Sequence, residues 1–157
     1  MASAPFGVAS PLVNLAVTVE GDAVTSIRLH GRATRPAETP LERQVAQELT
    51  EYFEGRRSQF AVRCAPKGTS FERRCWDALL AIPYGETRTY GEIARGLGNP
   101  EGARAVGSAN HKNPIPIIIP CHRVVNTGGG LGGYGGGLDL KRRLLALEQT
   151  RAPALGS

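Results

Sequence analysis

The sequence predicts a small α/β N-terminal domain, a short sheet backed by one helix, followed by a mostly α-helical C-terminal domain with a winged-helix-like helix-turn-helix. Three observations carry this prediction. Apolar residues alternate at Val13, Leu15, Val17 and Val19, the period of a half-buried strand. The pairs Thr39 and Glu42, Thr69 and Glu72, and Thr89 and Glu92 each form a capping box ahead of an apolar stripe at helical spacing. Two short helical stretches in the second half are joined by about four residues, as in a helix-turn-helix.

In chain order, Val13 to Glu20 and Ala23 to Leu29 flank Gly21-Asp22 and read as a β-hairpin. Thr39, with Pro40 at the first helical position, opens a helix whose apolar face is Leu41, Val45, Leu49 and Tyr52 or Phe53, stopped by Gly55. This unit ends near Pro66, which divides the chain into domains of residues 1–66 and 67–157. The next helix presents Phe71, Cys75, Trp76, Leu79 and Leu80 and stops before Pro83. A third carries Ile93, Ala94 and Leu97 and ends at Gly98, and Asn99-Pro100 starts a fourth through Ala103, Val106 and Asn110. That fourth helix is nearly bare, because Gly102, Ala103, Ala105, Gly107, Ser108 and Ala109 leave Arg104 as its one long side chain before His111. Close helix packing and close approach to a groove explain this equally well. Ile115, Ile117, Ile118 and Ile119 read as a buried extended stretch that runs directly into Pro120-Cys121-His122-Arg123-Val124-Val125. Eight of the ten residues from Gly128 to Gly137 are glycine, so this segment reads as a loop, broken only by Leu131 and Tyr134, before a last helix from Leu138 to Glu148.

At 157 residues the chain is long enough for one packed core or two small ones sharing an interface, which excludes a large multidomain enzyme. The longest apolar run, Ile115 to Pro120, is far short of a membrane span, and MASAPFGVAS has neither a basic start nor an apolar signal core. The expectation is a cytoplasmic protein without membrane association. Three cysteines with no CxxC spacing point to free thiols instead of a disulfide framework. The net charge of +5 lies wholly in one half: basic and acidic residues balance up to Pro66, and basic residues outnumber acidic ones from Lys67 onward. The C-terminal half is therefore the candidate anion-facing part, although a basic excess of this size is also what solubility alone requires.

Cys121 stands out as a thiol between a buried apolar run and a neighbouring imidazole, sheltered and open to activation at once. Cys75, on an apolar helix face beside Trp76, reads as a packing residue, and Cys64 as structural. His30 and His111 lie near polar loop signals and read as surface residues, which leaves His122 as the candidate base. Adjacent residues of an extended chain point to opposite sides, so His122 needs a turn or a bridging water to reach the Cys121 sulfur. Glu148, near the end of the last helix, is either a solvated carboxylate or, if turned inward, the group that orients His122. The glycine-rich segment fits no nucleotide-binding pattern. It reads as a flexible loop or as one that comes close to a planar ligand with Tyr134 as its lid.

The sequence PCHRV, with RAVGSANHKNP upstream and GGYGGGLDLKRRLLALE downstream, resembles the O6-alkylguanine-DNA alkyltransferases, also called methylated-DNA-protein-cysteine methyltransferases. The resemblance runs from Phe71, in FERRCWDALLAIPYGETRTYGEIA, to Glu148. The N-terminal part, with SPL at Ser10 to Leu12 and LERQVAQELTEYFEGRRSQF, is similar to the family's variable N-terminal domain. The resemblance implies Cys121 as alkyl acceptor, His122 as the residue that relays its proton through a water, and Glu148 as the carboxylate that orients the histidine. It implies Asn113 as the brace of the turn before the active-site segment, Tyr90 as the residue that crowds the target phosphate and helps rotate the nucleotide, and Tyr134 as a wall of the alkylguanine pocket. Arg104 matches the arginine that fills the gap left in the duplex, while Ala103, Ala105 and Gly107 let the helix backbone approach the minor groove.

The implied partner is double-stranded DNA containing O6-alkylguanine, bound by a protein that is a monomer in solution, with clustering on DNA left open. The implied activity is a single, irreversible transfer without a cofactor. The cysteines and histidines that bind zinc in some members have no counterparts before Cys64, so no metal is expected. Cys75 stands where the family usually has valine, a tolerable packing change, and Cys121 separates the chain from relatives that carry tryptophan there and only bind alkylated DNA. Two rival readings remain at this stage, a cysteine hydrolase using Cys121 and His122 and a winged-helix regulator without chemistry.

Overall fold

The alternation near the N-terminus resolves, in the computed structural model, into the middle of a four-stranded sheet. The structure describes residues 4–155, so the first three residues of the N-terminal segment and the last two of the C-terminal unit lie outside the described residues. Strands β1 (Phe6–Val8), β2 (Leu15–Glu20), β3 (Ala23–Leu29) and β4 (Arg63–Cys64) lie side by side in that order, the first three antiparallel and β4 parallel to β3. The hairpin read from the sequence is β2–β3, with Leu15 opposite Leu29 and Val17 opposite Ile27. Val13, Leu15, Val17 and Val19 are all buried. β1 and β4 are three and two residues long, too short to leave a period-two signal.

Helix α1 (Pro40–Phe53) makes the crossover from β3 to β4. Its capping box forms as read, with Thr39 accepting from the Glu42 amide and the Glu42 carboxylate from the Thr39 amide. Glu42 also receives a two-pronged ion pair from Arg35, whose Nη2 lies 2.7 Å from Oε2. Val45, Leu49, Tyr52 and Phe53 are buried and Leu41 is half-buried, so α1 lays the expected stripe on the sheet.

The C-terminal half contains α2 (Ser70–Leu80), β5 (Arg88–Thr89), α3 (Tyr90–Gly96), α4 (Ala103–His111), a 3-10 turn (Cys121–Arg123), β6 (Val124–Val125) and α5 (Leu138–Leu155). Both remaining capping boxes form, at Thr69 and Thr89, and Gly98 ends α3 with a φ of +79°. Trp76 is buried under α4 and donates from Nε1 to the Ala109 carbonyl at 2.9 Å. Strands β5 and β6 pair in parallel, tying the start of the helix-turn-helix to the segment after Cys121.

Four expectations are corrected. Leu80 is 49% exposed, because α2 ends there and its last turn leaves the core. Helix α4 starts at Ala103 and not at Asn99-Pro100, whose residues form a turn closed by the Gly102 amide on the Asn99 carbonyl. The final helix continues past Glu148 to Leu155, with Pro153 inside it. The isoleucine run is buried as expected but is not extended: it folds back on itself, with an isolated bridge from Pro116 to Ile119 and Ile117 at a φ of +76°. A β-branched residue in that region is strained, and burial of the isoleucines holds it there.

A single cluster of apolar side chains runs through both halves, from Phe6 and Leu49 through Trp76 and Ile119 to Leu144. Polar contacts join the halves as well. The Ile27 amide donates to the Pro114 carbonyl, and exposed His30 donates from Nε2 to the Gly136 carbonyl in the glycine-rich loop, each at 2.9 Å. The segment around Cys121 thus sits where the halves meet.

Candidate active site

The chain reaches Cys121 through a turn that Asn113 braces from both ends. Its Nδ2 donates to the Ile119 carbonyl at 2.8 Å, and its Oδ1 accepts from the Ile115 amide at 2.9 Å. The next residues wind into the 3-10 turn, with the Arg123 amide on the Pro120 carbonyl at 3.0 Å. Such a turn rotates successive side chains by about 120°, where a strand alternates them across its two faces. That corrects the extended reading of the segment and supplies a turn at this point, with Cys121 and His122 both buried.

His122 is fully buried and donates from Nε2 to Glu148 Oε2 at 2.6 Å. Its Nδ1 is also buried and has no hydrogen-bond partner among the described residues. Glu148 points inward, not into solvent, and is itself fully buried. Two further side chains hold it. Arg123 donates from Nε to Oε1 at 2.7 Å and from Nη2 to Oε2 at 3.1 Å, and the Tyr52 hydroxyl donates to Oε2. Arg123 is fixed in turn by the Ile82 carbonyl at 2.7 Å and by the face of Tyr84, 5.7 Å from its centroid. Burial alone would raise the Glu148 carboxyl, but the bonds from His122 and Arg123 hold it down at about 2. Burial lowers His122 and outweighs the pull of Glu148, so the imidazole is neutral at pH 7. Burial also pushes the Cys121 thiol up to about 11, against smaller opposing effects from Asn113 and Lys141. The resting site therefore holds a protonated thiol beside a neutral imidazole clamped to a carboxylate.

Cys121 opens onto a cavity of about 210 Å³ walled by Tyr90, Asn110, Asn113, Tyr134, Gly133 and Gly135, among others. Tyr134 stands edge-on to His122 with ring centroids 6.5 Å apart, and its buried hydroxyl has no partner among the described residues. Tyr90 also borders a second, more open hollow, shared with Ala103, Arg104, Gly107, Asn126 and Gly132. The buried face of α4 is Val106, Ala109 and Asn110, while Arg104 and Ala105 are exposed and Ala103 and Gly107 are half-buried. The two explanations for the bare helix can now be separated. Ala109 serves packing, whereas Ala103, Ala105 and Gly107 lie on or beside the open face.

Sequence reasoning missed four residues. Tyr52 was visible only as one member of an apolar stripe, and Arg123 as a neighbour of the cysteine. Asn110 donates to the Cys121 carbonyl at 3.3 Å, a contact without local signature. Lys141 is fully buried, and its ammonium donates to the carbonyls of Val124 at 2.6 Å, Gly133 at 3.2 Å and Leu131. It thereby pins the glycine-rich loop beside β6. A signal for Lys141 did exist: it stands seven positions before Glu148, with Leu144 and Leu145 between, and so shares their inward face. Among the described residues no three His, Cys, Asp or Glu side chains gather to hold a metal ion. No described helix is long and apolar enough to cross a membrane.

Comparison with known proteins shows what the chain as a whole is similar to. The sequence model of the family described as 6-O-methylguanine DNA methyltransferase, DNA binding domain, matches residues 70–150. A methylated-DNA-protein-cysteine methyltransferase of Mycobacterium bovis is 46% identical over 151 residues, covering 92% of each chain. One from Methanosarcina acetivorans is 56% identical over 106 residues, or 68% of each chain. Among solved structures, an O6-methylguanine methyltransferase of Mycobacterium tuberculosis superposes with a TM-score of 0.87 at 43% identity, over 98% of this chain and 96% of that one. The crystal structure of Mycobacterium tuberculosis OGT in complex with DNA matches with a TM-score of 0.86 at 45% identity, over 96% and 95% of the two chains.

Proposed function

Since the chain belongs to the O6-alkylguanine-DNA alkyltransferase family, the methylated-DNA-protein-cysteine methyltransferases, we propose that it repairs O6-alkylguanine in double-stranded DNA by moving the alkyl group onto its own Cys121. The observation that carries this reading is Cys121 in the wall of a cavity that borders the helix-turn-helix, with the buried His122–Glu148 pair following it in the turn. An O-alkyl purine is out of reach inside a stacked duplex and has to be turned out, at a cost of a few kcal/mol. Tyr90, between the inner cavity and the outer hollow, crowds the phosphate of the target nucleotide and helps rotate it. Arg104, exposed on α4, fills the gap left in the stack. The small residues Ala103, Ala105 and Gly107 let the backbone of α4 lie close in the narrow minor groove, where base sequence is read poorly. The basic excess of this half makes binding fall with rising salt as counterions are released.

Once the base is in the cavity, with Tyr134 as a wall, the Cys121 proton passes through a water to the free Nδ1 of His122. Glu148 stabilises the imidazolium that forms. The sulfur attacks the alkyl carbon, a carbon–sulfur bond forms as the carbon–O6 bond breaks, and the electron pair leaves with the guanine, which takes up a proton. Asn113 keeps the turn that presents the thiol. The thioether has no route back, so each molecule acts once and needs no cofactor.

This reading keeps residues 1–66 and 67–157 as two domains sharing a core, in a monomer that clusters on DNA only through further contacts. It locates the protein in the cytoplasm, where its three free cysteines stay reduced. Intact-mass measurement after exposure to a duplex carrying O6-methylguanine tests it. The expected result is one added methyl group, mapped by peptide to Cys121, with no reaction beyond one equivalent. Continued turnover would indicate a cysteine hydrolase, an unchanged mass a binding protein without chemistry, and a methyl group on Cys64 or Cys75 a different acceptor.

A further inference from the structure

Tyr52 belongs to α1, in the N-terminal half, yet its hydroxyl ends inside the Cys121 site. The side chain is fully buried, its ring packed between Phe53, Phe60 and Tyr84 with centroids 5.4, 5.5 and 6.3 Å away. The hydroxyl donates to Glu148 Oε2, the same oxygen that accepts from His122 Nε2, and lies 3.5 Å from that nitrogen. A phenylalanine would fill the same space, so packing does not account for the hydroxyl. A buried hydroxyl costs free energy unless it finds a partner, and here the partner is the carboxylate that the reaction depends on. We infer that Tyr52 is a positioning residue for alkyl transfer, which shares Glu148 Oε2 with His122 and so sets the pH at which that histidine takes up a proton.

The inference rests on the proposed roles of Cys121 and His122. Each donor to Glu148 draws negative charge from the carboxylate and leaves less of it to stabilise an imidazolium. The groups facing the pair are Tyr52 from α1, Cys121 and Arg123 from the 3-10 turn, Tyr84 and the Gly85 amide from the segment after α2, Tyr134 from the loop, and Lys141 from α5, with Arg151 behind Tyr84. Replacing Tyr52 by phenylalanine leaves all the others in place. Glu148 then directs more of its charge at His122, which protonates at higher pH and stops serving as a base there.

The test uses the full chain carrying Tyr52→Phe, with single-turnover methyl transfer from a duplex containing O6-methylguanine followed from about pH 5 to about pH 8. The acid limb of the rate profile is expected to move up by about half a pH unit or more. The midpoint of the His122 imidazole, followed by NMR without DNA, should move up by the same amount. A role confined to packing would lower the melting temperature and move neither. Limb and midpoint coinciding with those of the wild type overturn the inference. If Tyr52→Phe does not fold, difluorotyrosine at position 52 keeps the hydroxyl and strengthens it as a donor, so limb and midpoint should move down, and unmoved values are again fatal. A wild-type protein that takes no methyl group on Cys121 refutes the underlying reading instead, and the NMR midpoint still decides the role of Tyr52.

Discussion

Replacing His122 with alanine separates two ways in which a buried thiol can react. With the Cys121 thiol pushed up to about 11, only about one molecule in 10⁴ carries a free thiolate at pH 7, and about one in 10² at pH 9. If His122 takes the proton as the sulfur attacks, the wild-type rate is flat with pH once the imidazole is neutral. The His122→Ala protein has to wait for the free thiolate, so its rate climbs about tenfold per pH unit up to about pH 11. General-base assistance of this kind is worth about 10²–10⁴ in rate, so the variant should be slower by that factor at pH 7 and recover about two decades by pH 9. The fold should survive, because Glu148 keeps Arg123 and Tyr52 as partners. Single-turnover transfer from an alkylated duplex, at saturating protein and several pH values, is the assay, with DNA affinity measured alongside. A wild-type rate that itself climbs tenfold per pH unit, or a gap that stays constant from pH 7 to pH 9, would refute the reasoning.

Glu148→Gln should both slow transfer and destabilise the protein by about 3–5 kcal/mol in urea denaturation at neutral pH, because it leaves the Arg123 guanidinium buried without its counter-charge. As a carboxyl held at about 2, below its unfolded value, Glu148 contributes stability that is complete above about pH 4.5 and lost as pH falls toward 2. Lys141→Met removes two bonds to loop carbonyls and one to Val124 of β6, so amide exchange across Gly128–Gly137 should rise and transfer should fall by at least about tenfold, while the loss of a buried charge limits the change in global stability. Unchanged loop exchange would show that the lysine does not pin the loop. Arg104→Ala should slow repair of duplex DNA much more than reaction with the free alkylated base, which needs no turning out of a helix. Equal losses on both would mean that Arg104 shapes the pocket or the fold.

The elements marked by local chemistry were legible in the sequence. Three Thr-x-x-Glu boxes start helices where the sequence puts them, and the β2–β3 hairpin forms as read apart from a register shift at Thr18–Val19, because capping and local burial are decided within a few residues. The isoleucine run was read as buried but not as turned. Apolarity reports burial, whereas the fold-back at Ile117 depends on Asn113 bonding across the turn to Ile115 and Ile119. In the site, Cys121 and His122 carried their own signal. Glu148 was ambiguous because its helix was read as ending there, and a helix end invites solvation, whereas α5 continues for seven residues. Tyr52 and Lys141 escaped for a different reason. Each occupies a helix position that packing already explains, and only the three-dimensional arrangement reveals the carboxylate and the carbonyls their polar ends meet.

Lys141 holds the glycine-rich loop entirely by carbonyl oxygens, atoms that every amino acid supplies, so the anchor is blind to the loop's side chains. Where the loop can change is then set by space alone. A Cβ at Gly132, which has a φ of +74°, would come within 2.9 Å of the Tyr90 hydroxyl, and one at Gly136 within 2.7 Å of Leu29. At Gly133 and Gly135 it would meet nothing within 4 Å, and both residues line the cavity that holds Cys121. The loop therefore offers two positions with room for a side chain on the wall of the Cys121 cavity. Side chains placed at Gly133 or Gly135 would narrow this cavity without meeting Tyr90 or Leu29, so on the proposed reading they are where the size of lesion accepted can be retuned.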